Sequence, residues 1–423
     1  MAYIVRIVDP IYVATQRKGA GRDMSANTDI DINIEPFTAV PKPALWAGVV
    51  AMMLGVTALL TAELLPASVL TPMAQGLGVT TGVAGQAVTA TAFAGLIGAL
   101  LSATVTRRFN RKPVLLAFSL LLIVSNLLAA VAPNIELLLA ARIVLGLAIG
   151  GFWTMAAATT IRMVPEAMAA RAIAIVMSGI PAAMIIAIPV GGYLSDLVNW
   201  RVIFALAAAL GALVLVLQML FLPRVAPKGH ASLAVLGDII SRPGIGFGFA
   251  AAILVFTGHF GYFTYIRPYL ETVTTVNVGT MAMILFVFGV GSYVGTFVSG
   301  AAVERCLKGT LIVAALGMGV LGLLLAVFGG ALAFDTALIV IWGVLFGAVP
   351  VAFTTWITRA VPDEVESATG LLVALIFVGI AAGAAGGGAI FDLNGVRGVF
   401  LVGGLALLGA AVLVAVRVQT KEA

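Results

Sequence analysis

Long apolar runs alternate with short polar segments along most of the chain. Twelve runs reach the length of about 20 residues that a helix needs to cross a bilayer, and turns marked by polar residues, Pro or Gly separate them. Strands of a membrane barrel would alternate polar and apolar residues, so these uniformly apolar runs are predicted to be helices. The predicted spans are 44–66, 84–106, 113–132, 136–160, 170–194, 201–222, 244–266, 279–303, 309–330, 336–358, 368–391 and 396–416.

The second half of the chain repeats the first at an offset of 196 residues. At this offset Pro72 aligns with Pro268 and Asp196 aligns with Asp392. Each of these aspartates follows a Gly-Gly pair at the same spacing. Solute transporters are often built from such repeats and bind their solute at the repeat interface. The sequence therefore predicts an all-α integral membrane protein with twelve transmembrane helices in two pseudo-symmetric six-helix bundles.

The domain boundaries follow from the apolar runs and from the polar character of the chain start. That start carries Pro36, Pro41 and Pro43 and shows no helical periodicity, and Met24 is an alternative start of translation to Met1. The predicted units are a disordered cytoplasmic tail at 1–43, an N-terminal bundle at 44–222, a cytoplasmic linker at 223–243, a C-terminal bundle at 244–417 and a cytoplasmic tail at 418–423.

Composition and charge agree with a bilayer as the natural solvent. The chain is 62% hydrophobic and 10% charged, too apolar for a water-soluble surface. With the N-terminus inside, all of the 23 Lys and Arg residues lie on the cytoplasmic side except Arg142, Arg201, Arg267 and Arg397. The net charge of +5 therefore indicates topology rather than a nucleic-acid partner. The prediction is a multi-pass membrane protein with both termini cytoplasmic.

Several kinds of chemistry are not expected. A single cysteine, Cys306, excludes an intramolecular disulfide, and the two histidines, His230 and His259, form no cluster with carboxylates in the sequence. The sequence has no Gly-x4-Gly-Lys-Ser/Thr phosphate loop, and nothing arranges a nucleophile beside a base. We expect no metal, no cofactor and no enzymatic activity. The expected partners are a small-molecule substrate, protons and the bilayer, with the protein acting as a monomer.

Three ionisable residues lie within predicted spans. Such a residue costs about 2.5–3.5 kcal/mol on insertion scales and usually has a functional reason. Glu63 is predicted to carry a proton, the alternative being that it bonds a neighbour near the end of its span. For His259, 196 residues later, a proton relay, a ligand contact and neutral packing all remain open. Arg142 would supply a fixed positive charge, or pair with Glu136 or with carbonyl groups. Glu63, Arg142 and His259 are thus the predicted proton-coupling residues.

Aromatic and polar residues near these positions are candidates for substrate binding. Rings stack on planar solutes, and amide or hydroxyl groups in a span supply hydrogen bonds, although packing and interface anchoring explain most aromatics in membranes. The predicted substrate-binding residues are Gln86, Thr89, Phe152, Trp153, Tyr262, Tyr265 and Trp356.

Two motifs resemble those of a known family. Leu139-x2-Arg142 resembles a fourth-helix arginine motif that the family links to proton coupling, and Pro189-x-Gly191-Gly192 resembles a fifth-helix antiporter motif. Over about residues 44–417 the chain is similar to the twelve-helix drug:proton antiporter branch of the major facilitator superfamily. Further strings are similar to those of bacterial purine ribonucleoside efflux pumps, among them Leu70-Thr71-Pro72-Met73-Ala74-Gln75, Gly150-Gly151-Phe152-Trp153 and Phe263-Thr264-Tyr265-Ile266-Arg267-Pro268. The resemblance implies export of nucleosides such as inosine and guanosine in exchange for protons, across the bacterial inner membrane.

The resemblance also implies a set of gating residues. In the family, the loop between helices two and three reads Gly-x3-Asp-Arg-x-Gly-Arg-Arg/Lys, and Arg107 replaces its acidic residue in this chain. The second half keeps the pattern as Gly300-x3-Glu304-Arg305. The predicted gating residues are Arg108, Arg111, Pro189, Gly191, Gly192, Glu304 and Arg305.

The sequence is also compatible with other functions. The stretch from Phe377 to Gly383 has almost no polar side chains to bond a sugar, whereas the nucleoside pumps carry polar residues there. Multidrug or sugar efflux by the same mechanism is therefore an alternative, and so is a proton-linked importer. An alternative of another class is a membrane sensor that keeps the fold without transport.

Overall fold

A computed structural model describes residues 44–105, 109–165, 168–225 and 233–419. Within these ranges the chain is helical and contains no β-strand. The predicted tail at 1–43 and the gating candidate Arg108 lie outside the described residues. The helices are α1 (Trp46–Ser68), α2 (Leu70–Leu77), α3 (Thr81–Val105), α4 (Arg111–Ala130), α5 (Ile135–Ile161), α6 (Ala169–Met177), α7 (Gly179–Leu197), α8 (Trp200–Phe221), α9 (Leu233–Ser241), α10 (Ile245–Thr264), α11 (Ile266–Thr272), α12 (Val278–Arg305), α13 (Leu307–Phe328), α14 (Leu332–Ala360) and α15 (Val365–Arg417).

Eleven continuous helical segments in the described part of the chain are long and apolar enough to cross a membrane. The last of them belongs to α15, which has 53 residues and would measure about 80 Å if straight. Gly395 interrupts it with φ 69° and ψ −177°, a conformation that favours glycine. Since the hydrocarbon layer is about 30 Å thick, α15 accounts for two crossings. The predicted all-α fold with twelve transmembrane helices is confirmed.

The internal repeat is visible in the backbone. α1 and α2 are separated at Val69, with φ −113° and ψ 18°, and α10 and α11 are separated at Tyr265, with φ −109° and ψ 17°. These two breaks lie 196 residues apart, as do Arg111 and Leu307, the first residues of α4 and α13. The offset found in the sequence therefore relates equivalent helix ends in the structure.

Helix pairing follows the same repeat. Within the first half α1 packs on α7, α3 on α5 and α4 on α8, while in the second half α15 packs on both α10 and α13, and α12 packs on α14. Contacts between the halves run mainly through α3 with α15 and α7 with α12. Small residues permit close approach: a methyl group at Gly150 of α5 would collide with the carbonyl oxygen of Gly95 in α3.

The predicted linker at 223–243 contains α9, and its residues 226–232 lie outside the described ranges. Arg242, just after α9, forms ion pairs with Asp238 at 3.1 Å and with Asp363 at 2.8 Å. Hydrogen bonds to Asp363 and to Asp238 raise the pKa of Arg242 above its ordinary value. The segment before α10 is therefore tied to the turn between α14 and α15.

Candidate functional site

A buried arginine joins three helices of the first half. Arg142 of α5 is fully buried and donates from Nη2 to the carbonyl oxygen of Ala62 in α1 at 2.7 Å. Its Nε donates to Oγ1 of Thr91 in α3 at 3.1 Å, and the Thr91 hydroxyl itself donates to the Ala87 carbonyl at 2.9 Å. These bonds hold the guanidinium beside the residue that precedes Glu63.

Glu63 is also buried, with 6% of its surface exposed, and it directly follows Ala62, whose carbonyl oxygen accepts from Arg142. The ion pairs found within 4.0 Å among the described residues do not include these two. Nη1 of Arg142 is buried without a hydrogen-bond partner. Glu136 lies exposed in the first turn of α5. The site therefore combines a carboxyl group and a fixed cation that are close in space without direct contact.

His259 of α10 lies among aromatic rings. Its ring is fully buried and stacks on Phe346 with 3.4 Å between centroids, and Phe260, Phe263 and Trp342 also contact it. The indole Nε1 of Trp342 donates to Nδ1 of His259 at 3.1 Å. An indole can only donate, so Nδ1 accepts and the neutral imidazole carries its proton on Nε2. That Nε2 is buried without a partner, which leaves one hydrogen-bond donor to satisfy.

Three predicted substrate-binding aromatics each pack against residues of their own bundle. The Tyr262 hydroxyl donates to the Met318 carbonyl at 3.2 Å, and its ring stacks on Phe400. Trp356 donates to the carbonyl of Gln419 at 3.3 Å. The Phe152 ring is buried so close to α1 that a methyl group at Gly55 would lie 2.8 Å from it.

The remaining candidates lie elsewhere. Tyr265 and Gln86 are found where α3 meets α15: the Tyr265 hydroxyl donates to the Ala384 carbonyl at 3.1 Å, and a methyl group at Gly388 would lie 3.2 Å from Nε2 of Gln86. Oγ1 of Thr89 is buried without a partner. Trp153 is half-buried on α5. The predicted roles of these residues in binding stay predictions.

A second polar cluster connects the two halves. Arg267 of α11 is 2% exposed, and its Nη2 donates to both carboxylate oxygens of Asp196 in α7 at 2.7 and 2.9 Å. Its Nη1 donates to the Ser68 carbonyl at 2.8 Å, and its Nε donates to Glu271 at 2.7 Å. Glu271 also accepts from the Thr71 hydroxyl at 2.6 Å. We call this set, Arg267 with Asp196, Ser68, Glu271 and Thr71, the Arg267 cluster.

Sequence reasoning did not assign a role to the Arg267 cluster. In the sequence, Arg267 is one of the few positive residues outside the predicted cytoplasmic side, and it belongs to one of the strings similar to the nucleoside efflux pumps. Two features of the sequence point to the cluster. Arg267 is a positive residue on the predicted external side, and Asp196 recurs as Asp392 at the offset of the repeat. The cluster lies on the face that the charge bias predicts to be external, and there it fixes one bundle against the other.

The predicted gating residues that the structure describes are spread over the molecule. Pro189 and Gly191 are buried in α7, where a methyl group at Gly191 would lie 2.8 Å from Oγ of Ser68 in α1. The backbone N–H of Arg111 donates to the Val225 carbonyl at 2.9 Å. Glu304 and Arg305 are exposed at the end of α12. Gly192 is likewise buried in α7, and its carbonyl accepts from Arg267 at 3.5 Å.

The chain resembles known transporters along most of its length. It is 36% identical over 384 residues to the purine ribonucleoside efflux pump NepI of Escherichia coli and of Shigella flexneri, covering 91% of this chain and 97% of each relative. The corresponding pump of Salmonella paratyphi C is 37% identical over 371 residues, covering 88% of this chain and 94% of the relative.

Solved structures share the fold at low sequence identity. A D-xylose-proton symporter superposes with a TM-score of 0.73 at 15% identity, covering 89% of this chain and 99% of the symporter. The nucleoside transporter NupG superposes with a TM-score of 0.73 at 14% identity, covering 88% of this chain and all of NupG. The family model described as Major Facilitator Superfamily matches residues 45–371 and, in a second match, 248–423. The chain therefore belongs to the major facilitator superfamily.

Proposed function

We propose that this protein exports purine ribonucleosides such as inosine and guanosine from bacteria in exchange for protons, by alternating access across the inner membrane. The observation that carries the mechanism is the buried carboxyl group of Glu63 close to the fixed cation of Arg142. The substrate class rests on relatives of 35–37% identity whose names specify purine ribonucleoside efflux.

Glu63 is the proton carrier in this proposal. When Glu63 is protonated, the Arg142 guanidinium still has the Ala62 carbonyl and the Thr91 hydroxyl as acceptors. When Glu63 is ionised, the nearby guanidinium stabilises the negative charge. Glu63 releases its proton inward as substrate binds and regains one from outside as substrate leaves. One proton crossing 100 mV supplies about 2.3 kcal/mol, which supports a solute gradient of about 50-fold.

His259 contacts the ligand rather than carrying the proton. While Trp342 donates to Nδ1, the lone pair that would accept a second proton is occupied. The Nε2–H group lacks a partner and can donate to a carbonyl or ring nitrogen of a purine. Phe260 and Phe346, which cover the imidazole, are nearly but not fully buried and are suited to stack on a planar base.

The Arg267 cluster supports the alternating part of the mechanism. It joins α11 to α1, α2 and α7 on the predicted external face. Substrate release to the outside requires these bonds to break while the bundles rock apart. In this proposal the bonded Arg267 cluster belongs to the state in which the external exit is shut.

One observation favours a second candidate, the efflux of more apolar solutes. Between Phe377 and Gly383, α15 carries apolar residues only. Part of this stretch is used for packing, because a methyl group at Gly95 of α3 would lie 2.9 Å from the Phe377 ring. A solute beside the other residues of this stretch would find no side chain there that could form a hydrogen bond.

Substrate-induced proton movement in proteoliposomes separates these functions. Purified protein is reconstituted with a pH-sensitive dye inside the vesicles, and inosine, guanosine, an arabinoside and a cationic dye are added in turn. We expect proton movement with inosine and guanosine. A response to the cationic dye alone would support multidrug efflux, and ligand-induced tryptophan quenching without proton movement or counterflow would support a sensor.

A further inference from the structure

A cavity of about 650 Å³ lies where three spans of the second half end. Its walls include Gly244 before α10, Lys308 in the first turn of α13, and Arg417 and Gln419 at the end of α15. The cavity is remote from Glu63 in the sequence and belongs to the opposite bundle. Neither the transport mechanism nor the Arg267 cluster uses any of these residues.

Two cations line this cavity. Lys308 is half-buried, and Arg417 is exposed with its guanidinium 5.5 Å from the centre of the Phe247 ring. The ion pairs detected among the described residues include neither cation. Arg242, two residues before Gly244, differs because Asp238 and Asp363 neutralise it. The cavity wall therefore carries positive charge for which the described residues supply no ion pair.

Apolar side chains adjoin the two cations. Phe247 is 44% exposed and Val416 is 69% exposed, and both line the cavity. Exposed apolar residues on a transmembrane helix face lipid chains, and the residues at the ends of a span lie at the level of the lipid headgroups. The cavity thus offers cations at headgroup level and an apolar surface directed toward the hydrocarbon.

We propose that this cavity binds the headgroup of an anionic phospholipid. Lys308 and Arg417 contact the phosphate, and the acyl chains lie along Phe247 and Val416. A soluble phosphate would use the cations but not the apolar wall, which is why the geometry favours a lipid. Basic pockets between helices on the cytoplasmic side of membrane proteins are suited to such headgroups, and the charge bias predicts that this face is cytoplasmic.

The test measures lipid retention by native mass spectrometry of the purified full-length protein. Phosphatidylglycerol is compared with phosphatidylcholine for the unchanged protein, for Lys308→Gln, for Arg417→Gln and for the double variant. Arg224→Gln is the matched control, because Arg224 is exposed after α8 and does not line the cavity. Each removed cation should weaken retention of phosphatidylglycerol about fivefold, while Arg417→Lys and Arg224→Gln retain it.

Equal retention of phosphatidylglycerol by the double variant and the unchanged protein would overturn the proposal. So would displacement of the lipid by sn-glycerol 3-phosphate at equal concentration, since that compound has the phosphate but no acyl chain. If the double variant does not fold, the two single variants and Arg417→Lys decide the question. The assay measures binding alone, so its result does not depend on the proposed nucleoside transport.

Discussion

Asp196 and Asp392 lie 196 residues apart, and each carboxylate reaches from its own bundle to the other on the same face of the molecule. Asp196 forms a bidentate ion pair with Arg267 of α11. Asp392 accepts from the Thr80 hydroxyl at 2.9 Å and from the backbone N–H of Gly82 at 3.3 Å. The repeat therefore closes the predicted external face twice, with an ion pair on one side and neutral donors on the other.

The two aspartates should contribute unequally to closure. Asp196→Asn removes a charge-assisted hydrogen bond to Arg267, a cation that is 2% exposed, and hydrogen bonds to charged groups are worth about 1.5–3 kcal/mol. Asp392→Asn keeps one oxygen that can accept from Thr80 or Gly82, so it loses one hydrogen bond from a neutral donor at an exposed position, with a net value of about 1 kcal/mol. We expect Asp196→Asn to shift more of the population toward an open external face.

Spin labels can measure this shift. Val131 and Val327 are exposed at equivalent ends of α4 and α13, one in each bundle, and cysteines there in a Cys306→Ser background would report the separation on this face. Longer label distances should be more populated in Asp196→Asn than in Asp392→Asn. An equal or larger shift in Asp392→Asn would contradict the larger contribution of the Asp196–Arg267 ion pair to closure.

The His259 contact predicts a difference between two substitutions. Glutamine can keep a hydrogen-bond donor near the position of Nε2, whereas leucine cannot. We expect KM for inosine to be about tenfold higher in His259→Leu than in His259→Gln, because only the glutamine can replace the lost hydrogen bond. Both variants should keep the pH profile of transport, because the proposal assigns the proton to Glu63 and not to His259. A changed profile in His259→Gln would assign proton transfer to the histidine.

Helix packing between α3 and α5 should depend on Gly150. A methyl group there would collide with the Gly95 carbonyl oxygen, whereas at Gly409 of α15 it would meet nothing within 4 Å. Gly150→Ala should reduce the stability of the folded protein by about 1–3 kcal/mol, as overpacking does. Gly409→Ala should be neutral or stabilising by up to about 1 kcal/mol through helix propensity. Thermal unfolding of both variants in detergent tests this, and equal midpoints would contradict it.

The sequence predicts the spans and the repeat well because a bilayer requires long apolar helices and duplication leaves a constant offset. The breaks at Val69 and Tyr265 show the same offset in the backbone. The direction of side chains is harder to predict. A membrane helix is apolar on its lipid face and on its packed face, so hydrophobic periodicity does not say which residues turn inward. Tyr262 and Trp356 accordingly pack within their bundle, where only the folded structure could place them.

Ionisable residues within the predicted spans indicate the candidate site better than the aromatic residues do. Glu63 and Arg142 could be singled out because each is costly to bury, and the structure brings them close together. Arg267 could not be linked to Asp196 from the sequence, because the two residues come from different bundles and meet only when the bundles close. The partner of His259 was equally hidden, since Trp342 is one of five tryptophans in the chain.

The most direct measurement compares Glu63→Gln with Glu136→Gln in proteoliposomes. Glu136 is an exposed carboxylate at the start of the helix that carries Arg142, so it controls for loss of a negative charge. With Glu63→Gln we expect inosine to exchange for inosine across the membrane while inosine-induced proton movement is abolished. Glu136→Gln should retain both activities. Undiminished proton movement in Glu63→Gln would contradict the central claim that this carboxyl group couples protons to transport.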